Sequence, residues 1–159
     1  MSKTNIVAEP GNQEIIITRV FDAPRELVFK LWTDPAYIPD WWGPESLTVV
    51  VDKLEARKGG VWRYVHRDAN ANEYAHNGVF HEVTSPERLI NTYEFEGIPA
   101  VGLVTTTFED QPGGKTKLTE LSLYPSVEVR DSVLQSGMSE GAMELMDRFE
   151  TLLAKLKAR

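Results

Sequence analysis

The chain has 159 residues, of which 42% are hydrophobic and 26% are charged, values typical of a single globular domain. Twenty-four acidic and 17 basic residues give a net charge of -7, which opposes binding to nucleic acid or to anionic membranes. The absence of cysteine excludes disulfides, thiolate metal sites and a cysteine nucleophile, and fits a reducing compartment. Neither a signal peptide nor a run of about 20 apolar residues occurs, so we expect a cytoplasmic protein with no membrane partner.

The predicted elements begin after a polar segment, residues 1–11, which we expect to be a flexible tail before one domain over residues 12–159. The β-branched run at 14–21 predicts a first strand. Asp22-Ala23-Pro24 then has the acid and the proline that are typical of a helix start, and Thr33-Asp34-Pro35 predicts a second, shorter helix. Two small helices are therefore expected after the first strand.

From residue 47 to residue 124 the pattern is that of short strands separated by turn sequences rich in glycine, proline and asparagine. Their close spacing favours an antiparallel meander over alternating strand–helix units. Together with the first strand this makes seven, since six further strands are predicted, at 47–55, 60–67, 73–85, 88–95, 101–109 and 115–124.

The last third of the chain is predicted to be helical, with a short helix at 126–135 and a break at Gly137. Apolar residues then recur at intervals of three and four, which predicts an amphipathic helix of about 20 residues; they are Met138, Ala142, Leu145, Phe149, Leu152 and Leu156. A curved, seven-stranded antiparallel sheet wrapped around this long C-terminal helix would bury both apolar faces. The fold class is therefore α+β.

A set of short motifs occurs in a recognisable order and spacing: Val20–Phe29, Leu31–Pro35, Trp41–Pro44, Gly59–Arg63, Gly78–Val83, Pro86–Leu89 and Ser136–Gly141. Over about residues 14–156 the chain resembles the bacterial proteins similar to the C-terminal domain of the activator of heat-shock-protein-90 ATPase, within the START-like (SRPBCC) superfamily. The resemblance implies a helix-grip fold, in which the sheet closes on the long helix around a cavity. It implies much less about activity, because fold analogy alone does not define function.

Motifs for catalysis and cofactors are weak. Gly137-Met138-Ser139-Glu140-Gly141 matches the pattern of a serine-hydrolase elbow, but the preceding segment is helical and every histidine lies upstream of Ser139. His76 and His81 are five residues apart on one predicted strand, so they face opposite sides of the sheet. We therefore expect neither a metal nor a cofactor, and a binding protein rather than an enzyme.

Aromatic residues at alternating strand positions instead predict an apolar cavity against the long helix, of the kind that binds small molecules. The alternative is that these side chains fill a solid core. The predicted lining is Trp62, Tyr64, His66, Phe80, Glu82, Tyr93, Phe95, Met138, Ala142, Leu145, Met146 and Phe149. Trp41 and Trp42 are predicted to form a lip at its mouth, or alternatively to anchor the small helices to the sheet.

Glu82 is the polar residue of most interest in this set. On a half-buried strand it is either a carboxylate with a raised pKa that orients a ligand or acts as acid or base, or the partner of Arg63 in an ion pair.

Three functions are consistent with these patterns. The first is binding of a hydrophobic or amphipathic molecule in the cavity, with Glu82, His66 or Tyr64 orienting it. The second is a chaperone-associated stress role, which the resemblance implies. The third is a cavity-based cyclase or hydratase, as in some START-like relatives. Exposed aromatic residues near Trp41 and Trp42 leave a monomer and a homodimer both open.

Overall fold

The computed structural model describes residues 3–158, so residues 1–2 of the predicted tail and residue 159 of the predicted domain lie outside the described residues. Eight strands and four helices follow one another along this part of the chain. They are β1 (Asn5–Val7), β2 (Glu14–Phe21), α1 (Arg25–Thr33), α2 (Ile38–Trp41), β3 (Thr48–Leu54), β4 (Val61–Arg67), β5 (Glu73–Thr84), β6 (Arg88–Phe95), β7 (Gly102–Gln111), β8 (Lys115–Leu123), α3 (Val127–Gln135) and α4 (Met138–Lys157).

The strands form one antiparallel sheet in the order β1-β2-β8-β7-β6-β5-β4-β3. The α+β class and the curved sheet gripping a C-terminal helix are confirmed, but the strand count of seven is corrected to eight. The additional strand, Asn5–Val7, lies inside the segment predicted as a tail and pairs with β2 through Ile6 and Ile17. Three residues are too few to show the alternating pattern that identifies a strand in sequence.

Helix α4 lies across the concave face of the sheet and buries Met146, Phe149 and Leu153. It begins after Gly137, whose φ of +86° is a left-handed conformation that glycine adopts without strain. Its last turn carries Lys155 and Lys157, which complement the negative end of the helix dipole. Within residues 3–158, no helix combines the length and the apolar character needed to cross a membrane.

One end of the space between α4 and the sheet is filled by a solid aromatic core. Phe149 of α4 contacts Phe21 of β2 and Trp41 of α2, with ring centroids 5.1 and 4.8 Å apart. The indole Nε1 of Trp41 donates a hydrogen bond to the carbonyl oxygen of Leu31 at 3.0 Å, which fixes α2 against α1. Because this end is closed, any space for a ligand lies toward the other end of α4.

Candidate functional site

A cavity of about 470 Å³ lies between the sheet and the N-terminal half of α4. It is lined by residues from most of the elements that surround it. These are Ile17, Trp32, Ile38, Trp41, Trp42, Gly43, Pro44, Trp62, Tyr64, His66, His76, Phe80, Asn91, Tyr93, Gly102, Val104, Thr106, Glu120, Ser122, Tyr124, Val133, Ser136, Met138, Gly141, Ala142, Leu145 and Met146. Ser136 and Gly141 are exposed, so the cavity opens to solvent beside the first turns of α4.

Most of the residues predicted to line the cavity lie on its wall. They are Trp62, Tyr64 and His66 of β4, Phe80 of β5, Tyr93 of β6 and Met138, Ala142, Leu145 and Met146 of α4. Both predicted lip residues also contribute, but in different ways. Trp41 is only 1% exposed and is part of the aromatic core, whereas Trp42 is partly exposed and packs on Tyr64 with ring centroids 5.0 Å apart.

Three predicted lining residues are not on the wall, and two of them, Phe149 and Phe95, are aromatic residues packed elsewhere. Phe149 is fully buried in the aromatic core that closes the other end of α4. Phe95 packs edge-on against His76, with ring centroids 5.0 Å apart, and is not part of the cavity wall. The prediction followed the helix stripe and the strand alternation correctly, but neither pattern shows where along the element the packed core ends and the cavity begins.

The structure places Glu82 outside the cavity, in an ion pair with an arginine other than the predicted Arg63. Its carboxylate accepts hydrogen bonds from Arg88 at 2.5 and 3.0 Å, outside the cavity, and this guanidinium lowers the pKa of Glu82. The predicted partner, Arg63, pairs with Glu96 at 2.8 Å instead. The cause is a β-bulge in β5, where Phe80 pairs with Asn91 but Glu82 pairs with Ile90. A bulge inserts one residue and reverses the alternation, so Glu82 leaves the face that Phe80 occupies.

Polar side chains on the β4–β6 side of the cavity form a continuous hydrogen-bonded chain. The Nε2 atom of His66 lies 3.3 Å from the carbonyl oxygen of Trp42 and must donate to it, because a carbonyl only accepts. The Nδ1 atom of His66 is then an acceptor for His76 Nε2, at 3.1 Å. His76 Nδ1 in turn accepts from the hydroxyl of Tyr93 at 2.6 Å. All four imidazole nitrogens of His66 and His76 therefore have a hydrogen-bond partner.

The same arrangement keeps both imidazoles neutral. Burial lowers the pKa of His66, and burial together with the nearby His66 lowers the pKa of His76 to about 4. Gly43 closes over this chain with a φ of +97°, and a Cβ atom there would lie 2.3 Å from His66 Nε2. The loop after α2 is thus built to accept the histidine ring.

The opposite side of the cavity, on β7 and β8, has a different character. Glu120 of β8 faces the cavity between Ile17 of β2 and Thr106 of β7, its cross-strand neighbours. Its remaining accessible surface lies on the cavity wall, and burial in this apolar setting raises the pKa of Glu120 to about 7. In the described part of the chain, the Glu120 carboxyl has no ion-pair or hydrogen-bond partner.

Thr106, beside Glu120, adds a second unsatisfied group. The residue is 1% exposed, and its hydroxyl oxygen has no hydrogen-bond partner. A buried polar group without a partner costs roughly 1–3 kcal/mol, so the Thr106 hydroxyl, which lies beside the unpaired carboxyl group of Glu120, is available to a bound polar group.

Glu120 and Thr106 were not predicted as site residues, because the hydrophobic alternation along β8 is ambiguous. The inward series contains Leu118, Glu120 and Ser122, whereas the outward series contains Leu121 and Leu123. Hydrophobicity alone gives no reason to turn the glutamate inward. The pairing of His66 and His76 was missed for a related reason, since it depends on the register of the β4–β5 hairpin.

The cavity wall has few groups that could bind a metal ion and few that could carry a positive charge. Within residues 3–158, no three histidine or carboxylate side chains are arranged to hold a metal ion. Among the residues that the structure describes, no lysine or arginine lines the cavity. What the wall offers is a large aromatic surface, a neutral histidine chain and one carboxyl group without a partner.

Comparison with known proteins gives one family and many similar folds. The family described as "Activator of Hsp90 ATPase homolog 1-like protein" matches residues 22–154. A crystal structure from Rhodobacter sphaeroides is 27% identical, with a TM-score of 0.87 over 96% of this chain and 99% of that one. A protein from Mycobacterium smegmatis is 25% identical, with a TM-score of 0.84 over 94% and 96% of the two chains. No curated protein matches.

A third structure, the AHSA1 protein from Silicibacter pomeroyi, is 23% identical, with a TM-score of 0.72 over 89% of this chain and 97% of that one. At this level of identity the likeness concerns the fold alone. The chain and these solved structures are of nearly equal length, since each covers almost all of the other.

Proposed function

The chain belongs to the family of Activator of Hsp90 ATPase homolog 1-like proteins, and from the cavity that its fold encloses we propose that it binds a hydrophobic or amphipathic small molecule. The observation that carries this proposal is the cavity of about 470 Å³ with its aromatic lining. Ligand sites are concave, mostly apolar and furnished with a few polar groups. All four tryptophans of the chain lie on this wall.

The energy for binding would come mainly from desolvation of the ligand and of the aromatic wall. Each Å² of apolar surface removed from water contributes roughly 25 cal/mol, so a ligand that fills the cavity has ample driving force. Met138 and Met146 on α4 supply flexible side chains that can adjust to the shape of a ligand.

The test is titration with Nile red, a neutral apolar dye whose fluorescence rises in apolar surroundings. Ala142 lies on the cavity wall, and Ala142→Phe would fill the space. Ala154 lies on the exposed side of the same helix, so Ala154→Phe is the matched control. We expect the dye to bind the wild type and the control variant, and to bind the Ala142→Phe protein much more weakly.

Dye binding that is unchanged by Ala142→Phe would place the site outside the cavity and reject the proposal. Failure of the wild type to bind the dye at all would count against it as well. Melting temperatures of both variants establish that the comparison is made between folded proteins.

A chaperone-associated role is the second candidate, and the description of the family is one support for it. The other is an exposed apolar strip on the outer face of the sheet, where Leu103 and Leu123 are paired and 38% and 39% exposed. The expected result is stimulation of the ATPase of an Hsp90-class chaperone by the purified protein, reduced by Leu103→Lys. No stimulation over the basal rate would reject this role.

A further inference from the structure

The polar groups of the cavity indicate which kind of ligand it takes, and this conclusion rests on the proposed function. Glu120 is the single carboxylate among the described residues that line the cavity. Its cross-strand neighbours are Ile17, which is apolar, and Thr106, which is uncharged. Along β8 its neighbours on the same face are Leu118 and Ser122. The protein therefore surrounds this acid with side chains that cannot neutralise its charge.

Three arginines on elements that border the cavity have other partners. Arg19 of β2 is buried and bonded to Asp147, at 2.7 Å, and to Glu150 of α4. Arg130 of α3 pairs with Asp131 at 2.9 Å and donates to backbone carbonyl oxygens. Arg148 of α4 donates to the carbonyl oxygens of Gly43 and Asp40, at 2.6 and 3.0 Å. None of the three lines the cavity.

The remaining titratable groups that face the cavity are uncharged near neutral pH. His66 and His76 are held neutral by their hydrogen-bonded chain and by burial. Burial and the charge of Glu120 raise the pKa of Tyr124, and burial raises those of Tyr64 and Tyr93, so the phenols stay protonated. The described side chains that line the cavity therefore carry no positive charge near neutral pH.

The aromatic lining suits a positive charge. The π faces of tryptophan and tyrosine attract cations, and the interaction strengthens when the cation is removed from water. The hydroxyl of Thr106, buried and without a partner, supplies a further hydrogen-bond acceptor beside the carboxyl group. Carboxylate, hydroxyl and aromatic faces together are the partners that an alkylammonium group needs on leaving water.

We infer that the cavity selects an amphipathic amine, with the ammonium group held by Glu120 and Thr106 and the apolar body held against the tryptophan-lined wall. Above about pH 7 a fatty acid of the same shape binds more weakly, because its carboxylate faces an ionised Glu120 and no described lysine or arginine lines the cavity. A neutral alcohol of the same shape occupies the cavity but gains no ion pair.

Proton release accompanies binding of an amine. The empty cavity keeps Glu120 protonated below about pH 7, since burial raises its pKa to about that value. An ammonium ion beside the carboxyl group favours the ionised form, so binding at pH 6 transfers a proton from Glu120 to the buffer. No bond to carbon is made or broken in this step.

The experiment is calorimetric titration with three probes that share one apolar chain: decylamine, decan-1-ol and decanoate. At pH 7.5 we expect the wild type to bind decylamine about tenfold more tightly than decanol, the size expected of one charge-assisted hydrogen bond, and decanoate most weakly. Glu120→Gln should keep the affinity for decanol and lose the preference for the amine. Glu82→Gln is the matched control, because it makes the same chemical change outside the cavity.

The proton inventory gives a second measurement. Decylamine titrations at pH 6 in buffers of different ionisation enthalpy should reveal a proton released by the wild type and none released by the Glu120→Gln variant. Thr106→Val should weaken decylamine binding less than Glu120→Gln does. Retained decanol binding shows that each variant keeps an intact cavity.

Decanol binding without a preference for decylamine would overturn this inference and leave the proposed function intact. A preference for decanoate would also overturn it. Failure of all three probes to bind the wild type would remove the proposed function and the inference together.

Discussion

The two sides of the cavity differ in whether their polar groups have hydrogen-bond partners within the protein. On the β4–β6 side, His66, His76 and Tyr93 form a chain that ends on the carbonyl oxygen of Trp42, and every ring nitrogen has a partner. On the β7–β8 side, Glu120 and Thr106 are adjacent in register, and the described residues offer neither of them a partner.

The difference separates structural polar groups from groups available to a ligand. A satisfied buried network stabilises one arrangement of the loop and strands around it, whereas unsatisfied groups raise the free energy of the empty protein until something binds them. His66 and His76 are the more conspicuous polar residues in the sequence, but their hydrogen bonds are already made within the protein. The carboxyl group of Glu120 on the opposite side is the group that remains available to bind a ligand.

The largest effect on stability is expected from disrupting the hydrogen-bonded histidines on the β4–β6 side of the cavity. Gly43→Ala forces a Cβ atom to within 2.3 Å of His66 Nε2 at a φ of +97°, and we expect a loss of about 3 kcal/mol in the free energy of unfolding. Gly97→Ala is the control, because Gly97 has the same φ of +97° and no atom within 4 Å of the added Cβ. It should cost about 1–2 kcal/mol from backbone strain alone. Equal losses in urea denaturation would show that the contact with His66 is unimportant.

A gain in stability is expected from removing the unsatisfied acid. The folded protein resists ionisation of Glu120, whose pKa is raised to about 7, while the unfolded chain ionises near 4.5. Glu120→Gln should therefore stabilise the protein by about 2–3 kcal/mol above pH 7, and this gain should shrink to nothing as the pH falls below about 4.5.

Glu82→Gln tests the opposite sign at an ion-paired acid. Because Arg88 lowers the pKa of Glu82, its contribution is favourable above the pKa of the unfolded chain, and the substitution should weaken the protein slightly at pH 7. Thermal unfolding across pH 4–8 measures both effects. A Glu120→Gln variant less stable than the wild type at pH 8 would mean that the carboxyl group has a partner in the protein.

A smaller loss is expected from shortening the histidine chain. Tyr93→Phe removes the hydroxyl that donates to His76 Nδ1 at 2.6 Å, which should cost about 1–2 kcal/mol. Tyr74→Phe, at an exposed position bonded to Asp68, should cost much less.

The hydrogen-bonded histidines also predict how the stability of the protein changes with pH. Because burial lowers the pKa of His76 to about 4, the unfolded chain takes up a proton near pH 6.5 while the folded protein does not. Stability that is fully present above pH 6.5 should fall as the pH is lowered toward 4. The measurement is best made on the Glu120→Gln protein, where the glutamate no longer contributes. A stability that rises as the pH is lowered over this range would contradict the conclusion that His76 is uncharged in the folded protein.

The smallest effect is expected at the threonine on the unsatisfied side. Thr106→Val removes a buried hydroxyl that has no partner and should be neutral or stabilising by up to about 1 kcal/mol. Thr116→Val removes a buried hydroxyl that donates to the carbonyl oxygen of Ala23 at 2.6 Å, and should cost about 1–2 kcal/mol. Equal losses for the two variants would show that Thr106 is satisfied after all.

Much of the fold could be predicted from local patterns. The run of β-branched residues in β2, the turn sequences between β3 and β8 and the three-and-four spacing in α4 each specify an element without knowledge of the rest. The tryptophan, tyrosine and histidine of β4 share one face because a regular strand alternates.

The site was less predictable because it depends on departures from regularity and on neighbours distant in sequence. The bulge after Phe80 moves Glu82 off the inner face, and no local sequence pattern predicts this bulge. Glu120 turns inward because β8 is fixed between β2 and β7, although its own strand has leucines on both faces. Cross-strand register decided both positions.

Ligand binding in the cavity is tested most directly by native mass spectrometry of the freshly purified protein, compared with its denatured mass. We expect the wild type to carry an adduct that is lost on denaturation, contains a basic amine and is reduced by Glu120→Gln. A wild-type protein that shows only its calculated mass, and that remains unliganded after incubation with decanol and decylamine, would contradict ligand binding in the cavity.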